Sequence, residues 1–139
     1  MDRYNLQRFH QAQKNSYAAA LAEITAGCKR SHWIWYVFPQ IAGLGHSPTA
    51  EYYAISCLDE AREYLKDPVL KSRLEEISGR LLTLESSNPE EVMGYPDDLK
   101  LRSSMTLFEA ADPDCPVYAE VLERFYGGIR DVRTLELIR

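Results

Sequence analysis

The chain has 139 residues, with 16 basic and 21 acidic side chains that give a formal net charge of −5. This length fits one domain, because typical domains hold about 100–150 residues. No apolar run approaches the roughly 18 residues of a membrane span, and non-specific nucleic-acid binding requires a basic surface. We therefore predict a single globular domain over residues 1–139 that binds neither membranes nor, non-specifically, nucleic acids.

The cysteines and the amino end predict a cytoplasmic protein. Cys28, Cys57 and Cys115 are an odd number and form no CxxC pair, which is typical of reduced thiols. No apolar stretch follows residues 1–5, as it would in a signal peptide. The sequence also lacks metal-ligand motifs such as HExxH, so we expect neither a metal site nor a cofactor.

Helix start and stop signals recur along the chain. Residues 6–26 carry an apolar stripe at helical spacing, which predicts a first helix with Asn5 as its cap and Gly27 as its stop. Ser56 to Asp59 resembles a capping box with Asp in place of the usual Glu. Three pairs place a capping side chain before a proline, namely Ser47–Pro48, Asp67–Pro68 and Asn88–Pro89.

The second half of the chain continues this pattern. Further helices are predicted after Pro96, from Pro116 to Gly127 and from Asp131 onwards. We find no internal repeat and no linker. The predicted fold class is all-α, a compact single-domain bundle of about seven helices.

The segment 31–40 is unlike the rest, because aromatic and β-branched residues fill it from Trp33 to Phe38 without a charge. Such residues favour strands, yet no other segment offers a partner strand. We predict a short buried helical turn, with a strand as the alternative. Exposed, the run would be prone to aggregation.

The surroundings of this segment suggest a ligand site. Glycines allow close backbone approach, cations neutralise an anion, and an indole can stack on a ring. The candidate residues here are Lys29, Arg30, His32, Trp33, Trp35, Gln40, Gly43 and Gly45. The alternative interpretation is an ordinary loop with tryptophans that fill the core.

The segment 97–108 is the second candidate, because it places weak helix formers in mid-helix. Asp97, Lys100 and Ser104 lie at spacings that share one helical face. The candidate residues are Asp97, Asp98, Lys100, Ser103 and Ser104. In the alternative interpretation, Asp98 pairs with Arg102 and the hydroxyls bond carbonyls one turn back.

Charge and histidine distribution add two observations. Residues 1–50 carry a balance of +3 and residues 51–139 one of −8, an asymmetry that marks either an anion site or merely solvated acidic helices. His32 and His46 could act as a general base with Asp97 or Asp98, although spacing identifies no partner.

The motifs resemble one bacterial family of unknown function, the domain family numbered 1810. The resemblance spans nearly the whole chain and implies a small, mainly α-helical domain without an established activity. Members are in places labelled calpastatin-like, but calpastatin is extended and disordered, whereas this chain predicts a packed globule. The matching residues are Arg8–Phe9, Ala12–Gln13, Lys29–Gln40, Gly43–Gly45, Ser47, Asp97–Leu101, Ser103–Phe108, Gly127, Asp131 and Thr134–Leu135.

Three functions are consistent with these features. The first is binding of an anionic, nucleotide-like or ADP-ribose-type ligand between the two candidate segments. The second is a protein interaction module, in which Tyr52 and Tyr53 contribute to the interface. The third is catalysis by one of the two histidines. The sequence leaves the oligomeric state open.

Overall fold

The computed structural model describes residues 2–139, which form ten helices and no strand. A lone parallel bridge joins Ile41 to Ile55. The all-α prediction is confirmed, with more helices than the predicted seven. The helices are α1 (Gln7–Lys14), α2 (Tyr17–Thr25), α3 (Ile34–Val37), α4 (Pro48–Tyr53), α5 (Leu58–Lys66), α6 (Pro68–Leu81), α7 (Pro89–Met93), α8 (Asp97–Ala111), α9 (Pro116–Tyr126) and α10 (Val132–Leu137).

The amino-terminal region contains two helices instead of the single predicted one. Asn15 and Ser16 interrupt the helix between α1 and α2, and both are residue types with weak helix propensity. The two halves pack on different partners, α1 against α3 and α2 against α6. A single straight helix could not make both contacts.

Two predicted caps differ from the structure. Asn5 has a positive φ of 55° and is not the cap. Instead, the carboxylate of Asp2 accepts hydrogen bonds from the amides of Leu6 and Gln7 at 2.7 and 2.9 Å. At α5 the cap position is Cys57, and Glu60 accepts from both the amide and the hydroxyl of Ser56 at 2.8 Å.

The three cap–proline pairs are confirmed. The side chains of Ser47, Asp67 and Asn88 accept hydrogen bonds from first-turn amides of α4, α6 and α7. The aromatic segment also forms the predicted short buried helix, α3. The three capping side chains determine where α4, α6 and α7 begin, because each accepts hydrogen bonds from amides that would otherwise be unpaired at the helix start.

Helix α8 lies at the centre of the fold and packs against α3, α5, α7, α9 and α10. It is consequently buried around most of its circumference, and its apolar core residues are Leu101, Met105, Leu107 and Phe108. Besides Asp98, the remaining buried positions 103, 104 and 106 hold small hydroxyl residues. Their size lets neighbouring helices approach closely.

A buried ion pair connects the amino-terminal region to α5. The guanidinium of Arg8 donates to Glu60 at 2.7 Å and to the carbonyl of Ala54 at 3.0 Å. The side chains of Arg8 and Glu60 are 7% and 3% exposed. Because Glu60 also holds Ser56, both carboxylate oxygens are satisfied.

We expect Glu60→Ala to lower the free energy of unfolding by about 3–5 kcal/mol, because it leaves the Arg8 charge buried without a counter-ion. Asp59→Ala is the matched control, since Asp59 pairs with Arg62 on the exposed face of the same helix turn and should cost less than about 1 kcal/mol. Urea denaturation measures both values. Equal losses would contradict a structural role for the buried pair.

Candidate functional site

An ion pair brings the two candidate segments together. The ammonium of Lys29 lies 2.7 Å from Oδ2 of Asp97, and the Lys29 side chain is 5% exposed. The same ammonium donates to the carbonyl of Ser31 and lies 4.9 Å from the centre of the Trp33 ring. Lys29 thus anchors the loop before α3 to the first turn of α8.

Lys100 extends this cluster toward the surface. Its ammonium lies 3.5 Å from Oδ1 of Asp97 and 5.1 Å from the centre of the Trp35 ring. Asp97 therefore faces two ammonium groups with one carboxylate, which leaves one of the two positive charges without a counter-ion in this cluster.

The carboxylate of Glu23 holds the turn that leads into α3. It accepts hydrogen bonds from the amides of Arg30 and Ser31, from the Ser31 hydroxyl and, at 2.9 Å, from the indole of Trp33. Desolvation alone would raise the pKa of Glu23, but these hydrogen bonds outweigh it and lower the pKa to about 2. Trp33 itself is buried, so its ring is inaccessible to a ligand.

A cleft of about 260 Å³ opens beside this cluster, and we name it the α8 cleft. Four of the predicted residues, Gln40, Gly45, Lys100 and Ser103, line it. The other lining residues are Leu44, Pro96, Leu99, Arg102 and Asp131. The lining thus combines an apolar wall, an amide, two cations and one carboxylate.

Arg102 is the unusual member of the α8 cleft. Its guanidinium makes no hydrogen bond or ion pair with residues 2–139, and its Nε is buried without a partner. Its nearest aromatic neighbour is Tyr126, with the guanidinium carbon 5.7 Å from the ring centre. The alternative pairing of Asp98 with Arg102 is absent, and Oδ1 of Asp98 is also buried without a partner.

Asp131 closes the far side of the α8 cleft. Its Oδ2 accepts from the hydroxyls of Ser103 and Thr134 at 2.8 and 2.5 Å, and its amide donates to Thr106 at 3.0 Å. Ser103 and Thr106 are thus bonded within the fold. Thr106 donates to the carbonyl of Arg102 one turn back, and the single Ser103 proton is shared between Asp131 and the carbonyl of Leu99 at 3.1 Å, as the alternative interpretation of these hydroxyls expected.

The remaining candidates lie outside the α8 cleft. Arg30 and His32 are exposed, whereas Asp98 and Ser104 are buried. Gly43 has a φ of 104° and faces the side chain of Leu137. Gly45, which does line the α8 cleft, is also in close contact with α4, because a Cβ on it would lie 2.7 Å from the Cβ of Ala50.

The proposed histidine chemistry lacks its partners. Within the described residues, neither His32 nor His46 bonds Asp97 or Asp98, whereas His10 lies 2.7 Å from Asp67. No group of three metal-ligating side chains occurs in this part of the chain. None of its helices combines the length and hydrophobicity needed to cross a membrane.

Five residues that line the α8 cleft were not predicted from the sequence, and among them only Arg102 had a sequence pattern that pointed to the site. The five are Leu44, Pro96, Leu99, Arg102 and Asp131. Arg102 is the second cation of the segment 97–108, but its spacing to Asp98 also fits the alternative interpretation of an ion pair within the helix. Asp131 reaches Ser103 from 28 positions away, and Leu44 reaches α8 only through tertiary folding. No local pattern could have identified those contacts.

A second concave surface of about 550 Å³ includes Trp35 in its lining, and we name it the aromatic groove. Tyr36 and Tyr53 lie 5.2 Å apart between ring centres, and Tyr53 and Tyr52 lie 4.8 Å apart. The lining residues are His32, Trp35, Tyr36, Pro48, Thr49, Tyr52 and Tyr53.

Comparison with known proteins gives matches over nearly the whole chain. The family model described as "Protein of unknown function (DUF1810)" matches residues 3–138. The crystal structure of the conserved hypothetical protein Rv1873 from Mycobacterium tuberculosis has a TM-score of 0.96 and 45% identity, and the match covers 99% of this chain and 98% of that chain. No significant match exists among curated proteins. These similarities establish relatives and fold, and none of them carries an activity.

Glu23 predicts a pH dependence of stability. The folded-state pKa of Glu23, about 2, lies below its ordinary value of 4.5. The contribution of Glu23 to the free energy of unfolding is therefore fully present above pH 4.5 and is lost as the pH falls toward 2. The stability difference between the native protein and Glu23→Gln should therefore shrink between about pH 7 and about pH 2.5. Urea denaturation at each pH measures this difference.

Glu120→Gln is the control for this experiment, because Glu120 is exposed and makes no hydrogen bond within residues 2–139. It should change stability little at either pH. A Glu23→Gln difference that is independent of pH would contradict the assigned hydrogen bonds.

Proposed function

Because the chain belongs to the family described as protein of unknown function (DUF1810), we propose its function from geometry: it binds a small anionic ligand in the α8 cleft. The ligand is nucleotide-like, with an acidic group and a ring. This proposal rests on one observation, the free guanidinium of Arg102.

A buried donor without a partner costs about 1–3 kcal/mol. Arg102 incurs such a cost at Nε, and it does so on the wall of a cleft. The planar guanidinium offers a fork of donors that matches a carboxylate or phosphate in a bidentate arrangement. An anion in the α8 cleft would pair with the terminal nitrogens of this fork, which make no hydrogen bond within residues 2–139 and are not buried.

The other lining residues fit the remainder of such a ligand. Lys100 is the second cation, since Asp97 is shared between it and Lys29. Leu44 and Leu99 offer apolar contacts for a ring, and Asp131 can accept from a hydroxyl. The volume of about 260 Å³ lies just below the range of about 300–1,000 Å³ for typical ligand sites. This size favours a mononucleotide, and an ADP-ribose-type molecule would extend beyond the cleft.

We expect AMP or ADP-ribose to raise the melting temperature of the protein. Saturation at 100 times Kd stabilises the folded state by about 2.7 kcal/mol. Arg102→Met should weaken binding about ten- to hundredfold, because hydrogen bonds to charged groups contribute about 1.5–3 kcal/mol. Methionine retains much of the apolar contact with Tyr126 while it removes the charge.

Arg133→Met is the matched control, since Arg133 is exposed on α10 outside the cleft, and it should bind as the native protein does. Thermal denaturation and titration calorimetry with AMP, ADP-ribose and inorganic phosphate measure these effects. The proposal fails if none of the three binds, or if both variants lose affinity equally.

A second candidate function is a protein interaction module, and the aromatic groove favours it. Tyr52 is 55% exposed. An exposed tyrosine supports this candidate because tyrosines often contribute much of the binding energy at interfaces. The Tyr52 ring packs edge-on against Tyr53, which presents both rings in fixed orientations.

We also propose a reducing, cytoplasmic location. The support is that Cys28, Cys57 and Cys115 all carry free thiols in the structure, and free cysteines are typical of compartments where thiols stay reduced.

A further inference from the structure

We propose that the aromatic groove binds a proline-rich peptide in the polyproline II conformation. This inference rests on the second candidate function and names the partner of that surface. It is independent of the α8 cleft.

The first argument is the arrangement of the rings. Tyr36, Tyr53 and Tyr52 form a row of rings in successive contact, at 5.2 and 4.8 Å between centres. They are tilted by 53° and 81° to one another, so the surface between them is ridged instead of flat. One polyproline II turn covers about 9 Å, which is comparable to the two successive ring spacings of 5.2 and 4.8 Å, and pyrrolidine rings can pack between the ridges.

The second argument is the set of free hydrogen-bond donors. The hydroxyls of Tyr52 and Tyr53 and the indole N–H of Trp35 make no hydrogen bond within residues 2–139, and none of them is buried. By contrast, Tyr36 donates to Ser16 at 3.0 Å. A polyproline II chain forms no internal hydrogen bonds, so its carbonyls are available as acceptors for these donors.

The third argument is charge. The lining of the aromatic groove contains no Asp, Glu, Lys or Arg, in a chain of which 27% of residues are charged. Apart from His32 and the Lys100 ammonium 5.1 Å from the centre of the Trp35 ring, this surface presents no charged group, so it complements an uncharged peptide. Aromatic grooves that combine these properties are one of the recurrent modes of peptide recognition.

The test is an NMR titration of the full chain with a ten-residue polyproline peptide. The two tryptophans give separate indole N–H signals, which Trp35→Phe assigns. We expect the Trp35 signal to shift saturably with the peptide. The Trp33 signal should not move, because that indole is buried and bonded to Glu23.

Variants of exposed tyrosines sharpen the test. Tyr52→Ala should raise Kd about tenfold or more, as expected for a tyrosine that dominates an interface, and Tyr52→Phe should have a smaller effect because it removes only the hydroxyl. Tyr95→Ala is the matched control, since Tyr95 is 72% exposed and lies outside the groove. It should leave Kd unchanged.

Four results would overturn the proposal. The first is no Trp35 response at millimolar peptide, and the second is an equal response to a Gly/Ser decapeptide. The third is a response to tetramethylammonium but not to polyproline, which would make the groove a cation site. The fourth is a shift that depends on protein concentration alone, which would make it a self-interface. If polyproline fails while AMP still stabilises the protein, only this proposal is rejected, and the reverse outcome rejects only the α8 cleft.

Discussion

The burial of α8 on several sides is the constraint on which the rest of the structure depends. A helix in contact with five others must satisfy nearly all of its polar groups inside the fold. Ser103 and Thr106 do so through Asp131, which thereby attaches α10. Asp97 does so through Lys29, which thereby positions the loop before α3. The first turn and the middle of α8 thus determine where two otherwise separate segments lie.

The exceptions to this rule are concentrated on the same helix. Six side-chain N or O atoms among residues 2–139 are buried without a partner, and three of them, on Asp98, Arg102 and Ser104, belong to α8. Unsatisfied polar groups in a stable core call for an explanation such as a bound water, ion or ligand. Of these three α8 residues, only Arg102 lines the α8 cleft, so its guanidinium is the one of the three polar groups that faces a cleft.

Local chemistry made the fold class and most helix starts predictable, while long-range contacts decided the rest. Ser47, Asp67 and Asn88 each act within three residues, so their patterns suffice. At Asn5 the pattern fails because Asp2, farther from the helix, supplies the carboxylate. Within the site, the pairing of the loop before α3 with the start of α8 was anticipated. Arg102 and Asp131 were not, because their roles depend on which neighbours tertiary folding provides or withholds.

The contact between Gly45 and Ala50 has a consequence for relatives of this protein. Even the smallest side chain at position 45 would come within 2.7 Å of the Ala50 Cβ, closer than two carbons can approach. The two positions therefore share one small volume, which can hold a single methyl group. Over evolutionary time they should change together: a homologue with alanine at position 45 should carry glycine at position 50, or should have moved α4 outward and widened the loop beside it.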